Sequence, residues 1–415
     1  MKLDFKKTFL IGFGFFAASI AWSIYNSFVP LLLKRFIEST TLIGSIMTID
    51  NVFGVVFQPL FGYLSDRTKS PYGKRMPYIL IGIPLCALVF SLIPTMSSGL
   101  LPLMITIILF NFIMSTWRSP VVALMPDLTP APLRSKANGI INMMGGIGTL
   151  IAFAVGGTLS NMVGNNGPFI MSGLVMILAL VILFFFVKEP PIQNDAVAET
   201  KEVKKKEKIK LGKDEKKSLV LILLAIFFWF TGYNAVESFF TLYATNTLMM
   251  KEGDATILLA FFSISFLIAA YPAGILGGKI GRKKTIMIGL SVLPLLFIPM
   301  FFINNIMVLR VLLFVGGIFW ACVNINSLPM VVELADSSKI GTFTGYYYFF
   351  SFSAAIVSPI LFGWLRDLTG SYPLIFLYAA IAFTAALLCI IFVKHGEAAP
   401  EQKLTTDQVM GLQED

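Results

Sequence analysis

Long apolar runs separated by short polar or basic links make up most of this chain. A membrane-spanning α-helix needs about 20 mostly apolar residues, and twelve runs come near that length. They lie near residues 8–33, 41–65, 77–96, 100–126, 139–162, 168–187, 218–246, 254–277, 285–303, 306–332, 342–364 and 372–393. The pattern predicts an all-α membrane protein with twelve transmembrane helices. The first run is too long for a removed signal peptide and has a poor cleavage site, so we interpret it as a retained helix.

The composition supports the same class. The chain is 56% hydrophobic and 13% charged, with a mean hydropathy of +0.81, which is far from the balance of a soluble domain. Cys86, Cys322 and Cys389 lie in different apolar runs, which predicts inert buried thiols. The single histidine, His395, follows the last run. We therefore expect no metal site within the membrane and, without a nucleophile–base pair or a nucleotide-binding loop, no enzyme activity.

The 32 Lys and Arg residues predict the orientation. With twelve helices, the termini and the even-numbered links carry 26 of them, the other side carries five, and Arg118 lies inside a helix. By the positive-inside rule, both termini are cytoplasmic. The net charge of +9 is spread over separate short loops with no single basic face. We therefore expect the lipid bilayer, and no nucleic acid, as a partner.

Residues 188–217 divide the chain into halves. Their prolines and a charged run over 201–208 predict a solvated cytoplasmic linker. We expect an N-terminal six-helix bundle over 1–187, a C-terminal six-helix bundle over 218–394 and a flexible cytoplasmic tail over 395–415.

Short motifs recur in the same order in both halves. Three pairs correspond: Tyr25-Asn26 with Tyr233-Asn234, Gly62-x3-Asp66-Arg67 with Gly274-x3-Gly278-Lys279, and Asp127-Leu128 with Glu333-Leu334. Such a repeat indicates two bundles related by a pseudo-two-fold axis along the membrane normal.

The loop after the second run resembles a known signature. Gly62-x3-Asp66-Arg67 with Gly73-Lys74-Arg75 resembles the loop motif of the major facilitator superfamily. Residues 68–72 and 76–79 resemble, more narrowly, the glycoside–pentoside–hexuronide cation symporters and the sucrose/maltose–proton symporter relatives. Residues 120–139 and 335–345 are similar to sucrose-transporter-like proteins. The resemblance implies the major facilitator fold and the transport of a sugar.

The resemblance also implies a gate at the cytoplasmic side, where the corresponding Asp helps to hold the two bundles together. The candidate gate residues are Gly62, Asp66, Arg67, Gly73, Arg75, Asp127, Arg134 and Glu333. The alternative is that the basic residues of this loop only set the topology.

Three formal charges lie inside the predicted helices: Asp50, Arg118 and Glu237. Each costs at least about 2.5–3.5 kcal/mol near the bilayer centre, so they must face a cavity or each other. In the major facilitator arrangement, helices 1, 4, 7 and 10 line the cavity, and Arg118 and Glu237 then face one substrate from opposite bundles. Burial favours a protonated carboxyl group and a nearby Arg favours the ionised one, so this pair binds a proton when separated and loses it when joined. A static buried ion pair is the alternative, and Asp50 is either a second proton site or a structural acid.

One departure from the resembled symporters bears on the coupling ion. Sodium-coupled melibiose-type members carry three acids where this chain has Gly54, Gln58 and Arg118. Hard cations prefer oxygen ligands, and an arginine repels sodium. We therefore expect proton coupling and no cofactor.

Hydrogen-bonding and aromatic side chains on cavity helices are the candidates for substrate binding. On the cavity helices they are Tyr25, Asn26, Trp117, Arg118, Tyr233, Asn234, Glu237, Trp320, Asn324 and Asn326. Gln58 on helix 2 is a further candidate, and Asn142 on helix 5 and Tyr347 on helix 11 are weaker ones. Helix–helix packing is the alternative role for each. The predicted function is proton-coupled symport of a sucrose- or maltose-like sugar by a monomer in the cell membrane. The alternative is export of a drug or another small metabolite on the same fold.

Overall fold

A computed structural model describes residues 3–130, 133–189, 212–334 and 340–396. Most of the predicted linker (188–217) and tail (395–415) therefore lies outside the described residues, as does the stretch 335–339 of the second-half motif.

The described residues form α-helices, one π-helical segment and no strand. The helices are α1 (Phe5–Lys34), α2 (Thr40–Met47), α3 (Ile49–Arg67), α4 (Met76–Leu92), α5 (Leu100–Leu128), α6 (Arg134–Ile151), α7 (Gly157–Val163), α8 (Asn166–Phe186), α9 (Lys213–Asn246), α10 (Glu252–Ile280), α11 (Arg282–Met300), α12 (Ile306–Val332), α13 (Ile340–Thr369) and α14 (Leu374–Ile391). The π-helical segment Ala152–Gly156 joins α6 to α7. Helices suit an apolar chain in lipid because they satisfy their own backbone hydrogen bonds.

Each predicted run coincides with a helical segment. In the described part of the chain, eleven segments are long and apolar enough to cross a membrane, with α2–α3 forming one and α6–α7 another. The remaining segment, α4, is apolar but has only 17 residues. The protein is therefore an all-helical, multi-pass membrane protein. The count of twelve crossings and the cytoplasmic position of both termini stay predictions.

The helices pack as two groups, α1–α8 and α9–α14. In the first group α1 packs on α6 and α8, and α4 packs on α5 and α8; in the second, α9 packs on α13 and α14, and α12 on α10 and α11. The two groups meet through α2 with α13, α7 with α10, and α1 with α9. All three cysteines are free thiols.

The two bundles are in contact at one end of the molecule. We call the end where α1 begins and α14 finishes the basic end, and the other the opposite end. At the opposite end a Cβ atom on Gly363 would lie 2.6 Å from the Thr40 carbonyl oxygen, and one on Gly157 would lie 2.6 Å from the Gly253 carbonyl oxygen. Only glycine allows the helices to cross this closely.

The basic end has a different character. A Cβ atom on Gly139 of α6, Gly278 of α10 or Gly345 of α13 would meet no neighbouring atom within 4 Å. These three helices come from both bundles, and all three positions lie in the half of the molecule near the basic end. No neighbouring helix packs against the backbone at these three exposed positions, so the close glycine contacts between the bundles lie at the opposite end.

Candidate functional site

The three intramembrane charges lie near the junction of the two bundles. Asp50 lies in the first turn of α3, Arg118 within α5 and Glu237 within α9. Because the membrane segment breaks between α2 and α3, Asp50 lies at a helix N-terminus, where a carboxylate is favoured. Asn51 donates two hydrogen bonds to the Asp50 Oδ1 atom, from its backbone N–H and its side-chain amide, both at 2.6 Å.

The Arg118 guanidinium lies over an aromatic ring. Its Cζ atom is 5.4 Å from the centroid of the Trp22 ring on α1. Among the described residues, no carboxylate oxygen lies within the 4.0 Å of an ion pair with Arg118. Arg118 interacts electrostatically with Asp50 and with Tyr348 of α13. The guanidinium is thus near a carboxylate without being paired to it.

Glu237 contacts the other bundle. Its carboxyl group lies beside the Asn26 side chain of α1, and its charge acts on Asp50 and on Tyr233. Arg118 and Glu237 form no ion pair in the described part of the chain, and their expected position facing one substrate from opposite bundles stays a prediction. The charge that acts on Arg118 is that of Asp50, because α3 packs beside α5 in the same bundle.

An aromatic cavity lies beside Glu237. It has a volume of about 40 Å³, room for about one water molecule. Tyr233 is stacked on Trp320 at its edge, with ring centroids 4.7 Å apart and planes 3° from parallel. The residues lining it are Phe153, Tyr233, Val236, Glu237, Leu259, Phe262, Ser263, Leu293, Phe297, Leu313, Trp320 and Phe383. All except Phe153 belong to the C-terminal bundle, and the lining is mostly phenylalanine and leucine.

Three predicted substrate residues pack inside their own bundles instead. Tyr25 is fully buried, stacks on Phe110 and accepts a hydrogen bond from Asn111 at 3.2 Å. Trp117 is fully buried where α5 crosses α4. Asn326 donates hydrogen bonds to the carbonyl oxygens of Ala273 and Cys322 and so joins α12 to α10. Neighbouring helix positions point in different directions. Arg118 and Asn26 therefore face the junction, and the residues before them do not.

The other candidates occupy intermediate positions. Asn234 and Asn142 donate to carbonyl oxygens four residues earlier in their own helices, at 2.7 and 2.9 Å. Asn324 is half-buried, and Gln58 folds back toward Gly54. Tyr347 is buried and hydrogen-bonded to Ser327 at 3.1 Å. None of these contacts shows a role in binding, so these assignments stay predictions.

Three residues near the charges were missing from the predicted set. They are Trp22, Asn51 and Tyr348. Trp22 precedes Asn26 by four residues, so both lie on one face of α1, and this spacing could have revealed it. Nothing local in the sequence distinguishes Tyr348 from the five other aromatic residues between 346 and 352.

The predicted gate residues form one cluster in each bundle. In the first bundle Arg75 is buried and donates to Asp66, to Asp127 at 3.0 Å and to the Gly62 carbonyl oxygen at 3.1 Å. In the second bundle Arg282, which was not among the predicted residues, donates to Glu333 at 2.8 Å. Lys74, which lies 3.1 Å from Asp127, and Arg282 each directly follow the glycine of their loop, so Lys74–Asp127 and Arg282–Glu333 are related positions of the internal repeat.

The other residues of the loop between α3 and α4 also form their contacts within the first bundle. Gly73 has a φ of +103°, a conformation that favours glycine. It leads into the N-terminus of α4, where Glu189 accepts hydrogen bonds from the backbone N–H groups of Lys74, Arg75 and Met76 at 2.8–3.0 Å. Arg67 lies over the Tyr63 ring, and Arg134 donates to carbonyl oxygens at the end of α5. The printed partners of these residues lie in the first bundle, and their role in holding the two bundles together stays a prediction.

The match to a family model decides what kind of protein this is. The model described as the Major Facilitator Superfamily matches residues 11–251 and 243–409. The chain belongs to the major facilitator superfamily. It is therefore a secondary transporter, and the predicted superfamily is confirmed.

Individual relatives agree on the fold and differ in the solute. The chain is 24% identical to the tetracycline resistance protein, class H, of Pasteurella multocida, over 91% of this chain and 94% of that protein. It is 23% identical to the hexuronate transporter of Bacillus subtilis (strain 168), over 88% and 89%. A bacterial homologue of the human lysosomal transporter Spinster, solved in an inward-facing and occupied conformation, superposes with a TM-score of 0.69 at 12% identity, over 95% of each chain. The narrower resemblance to sugar symporters is not singled out by these relatives.

Proposed function

We propose that this protein is a proton-coupled symporter that carries a sugar or a glycoside, sucrose- or maltose-like, across the cell membrane by alternating access. The observation that carries the proposal is the composition of the charged site. Two carboxyl groups and one guanidinium, those of Asp50, Glu237 and Arg118, lie near the bundle junction. With both carboxyl groups ionised the set has a net charge of −1, and one bound proton makes it neutral.

Neutrality matters because an unbalanced charge is expensive inside a membrane. A neutral solute leaves the three charged groups with their net charge of −1. The solute-loaded site is therefore favoured when a proton binds together with the solute. Asn26 of α1 lies beside Glu237 of α9, so movement of the bundles changes the surroundings of this carboxyl group. Close contact of the bundles at the opposite end fits one of the two states that alternating access requires.

The second candidate is export of a cationic or aromatic drug. The aromatic lining around Glu237 favours it, because a cation over such rings is stabilised by about 0.5–2 kcal/mol. A cationic solute would itself neutralise the set, so it would compete with the proton and move against it. The two candidates therefore predict opposite coupling.

Purified protein in liposomes with an imposed pH gradient tests both. We expect radiolabelled maltose or sucrose to accumulate inside vesicles when the outside is acidic, and Glu237→Gln to abolish accumulation while leaving equilibrative exchange. Glu215→Gln is the matched control, since that glutamate lies at the start of the same helix and bonds to the Gly212 N–H. Proton-driven movement of tetraphenylphosphonium in the opposite direction would favour the export candidate. Accumulation that survives in Glu237→Gln with normal pH dependence would exclude Glu237 as the coupling site.

A further inference from the structure

The Arg118 guanidinium has an unusual contact for a buried cation. Its contact is the face of the Trp22 ring at 5.4 Å, within the range of a cation–π interaction. Asp50 is near enough to act on its charge but not near enough to form an ion pair. An arginine that can reach an ionised acid in a low-dielectric site gains by pairing with it. The contact that the structure gives this guanidinium instead is the Trp22 ring.

The Trp22 ring is held firmly enough to do this. Its edge meets Tyr25 at a centroid distance of 5.7 Å and Phe110 at 5.8 Å. Tyr25 in turn stacks on Phe110 and is hydrogen-bonded to Asn111. These contacts lie in the interior of the N-terminal bundle, between α1 and α5.

The orientation of the indole gives a second, independent observation. Within the described part of the chain, the buried Trp22 Nε1 atom has no hydrogen-bond partner. A buried indole N–H usually finds one. The ring is therefore oriented by its packing and by the guanidinium on its face, at the expense of its own hydrogen bond.

We propose that Trp22 is a positioning residue that holds Arg118 away from Asp50 and so allows Asp50 to carry a proton. The inference rests on the proposed function, in which the charged set exchanges a proton. Tyr348 on α13 also acts on Arg118, and Glu237 on α9 and Tyr25 on α1 interact with Asp50. Tyr233 on α9 interacts in turn with Glu237. Without the indole, the nearest carboxyl group to receive the guanidinium is that of Asp50. A guanidinium beside a carboxyl group favours its ionised form, so the proton would then be lost at lower pH.

The size of the effect follows from the strength of the contact. A cation–π interaction of about 0.5–2 kcal/mol corresponds to about 0.4–1.5 pH units, since one unit is about 1.36 kcal/mol. We expect Trp22→Leu to lower the midpoint of Asp50 protonation by that amount. Trp22→Phe keeps a ring of weaker attraction and should give a smaller shift of the same sign. Trp364→Leu is the matched control, because that indole is 56% exposed on α13 and far from the charges in the packing.

The experiment is an infrared titration of the purified full chain in lipid, following the carbonyl stretch of protonated carboxyl groups. Asp50→Asn and Glu237→Gln assign the bands, and no solute is needed. A lower midpoint in Trp22→Leu with no change in Trp364→Leu supports the inference. An unchanged or higher midpoint overturns it, and so does a titration in which Asp50→Asn removes no band.

Separate measurements test the folding of the variants and the proposed transport function. Size-exclusion profiles and thermal melting show whether Trp22→Leu is folded; if it is not, Trp22→Phe decides by the presence or absence of its smaller shift. Liposome uptake tests the proposed function on its own. If the Asp50 titration shifts in Trp22→Leu but the parent protein shows no proton-driven uptake, the symport proposal is overturned and the role of Trp22 is retained.

Discussion

Asp367 of α13 joins the two bundles at the opposite end, and its removal should loosen that end. The carboxylate accepts four hydrogen bonds from the start of α2: from Ser39 Oγ at 2.7 Å, Thr40 N at 2.7 Å, Thr41 N at 2.9 Å and Thr41 Oγ1 at 2.8 Å. It therefore caps a helix of the other bundle, and the positive end of that helix favours its charge. This contact exists only while the opposite end is closed.

The magnitude can be worked from these contacts. A hydrogen bond to a charged group contributes about 1.5–3 kcal/mol and loss of a helix cap costs about 0.5–2 kcal/mol. The side chain is 25% exposed, so water compensates for part of the loss. We expect Asp367→Ala to weaken closure by about 2 kcal/mol, which changes the ratio of closed to open molecules by about 30-fold. Asp367→Asn keeps one acceptor oxygen, so its ratio of closed to open molecules should lie between those of the parent protein and Asp367→Ala.

Distances between spin labels measure this directly. Labels on cysteines introduced at Glu38 and Thr369, one in each bundle and both exposed, in a chain without its native cysteines, should report one short distance. Asp367→Ala should add a population at longer distance. Asp4→Ala is the control, because Asp4 caps only its own helix, through the Lys7 N–H at 2.9 Å. Identical distance distributions for Asp367→Ala and the parent protein would refute the reasoning.

Three further predictions concern packing. Gly157→Val should prevent close approach to Gly253, cost about 1–3 kcal/mol and lower the transport rate at equal protein abundance; an unchanged rate would show that this crossing need not be tight. Arg75→Leu should reduce the free energy of unfolding by about 2–3 kcal/mol, because Asp127 loses a buried partner, and so lower the melting temperature in detergent. An unchanged melting temperature would contradict a stabilising role for the Arg75 cluster. Asn326→Leu should reduce stability by about 1–3 kcal/mol and leave the KM for the transported solute unchanged, since its side chain bonds to backbone. A raised KM at normal stability would return Asn326 to the substrate site.

The helical architecture was predictable because it depends on local pattern. Apolar runs of membrane-spanning length leave the backbone no alternative to helices in lipid, and every predicted run lies on a helix. Two breaks were missed: the one that divides α2 from α3 and the π-helical segment between α6 and α7. No glycine or proline adjoins the break at Thr48, and five residues of altered hydrogen bonding change no hydropathy pattern.

The candidate site was predictable in its chemistry and not in its pairing. Asp50, Arg118 and Glu237 are identifiable in sequence because a charge in an apolar run is costly and rare. Which of them lie together depends on the packing of α3 on α5 and on the relative position of the bundles. The sequence did not indicate that Trp117 and Asn326 pack inside their own bundles, because residue type does not tell which face of a helix meets the cavity.

The sequence by itself determined that this is a multi-pass helical membrane protein with an internal repeat, since hydropathy, length and motif order are properties of the chain alone. Only the tertiary structure decided that the bundles are in close contact at the opposite end, that Asp367 of one bundle caps a helix of the other, and that Arg118 rests on Trp22 instead of on a carboxylate. Those arrangements join residues up to 328 positions apart. They are set by how whole helices pack, and no local pattern encodes the distance between two helices.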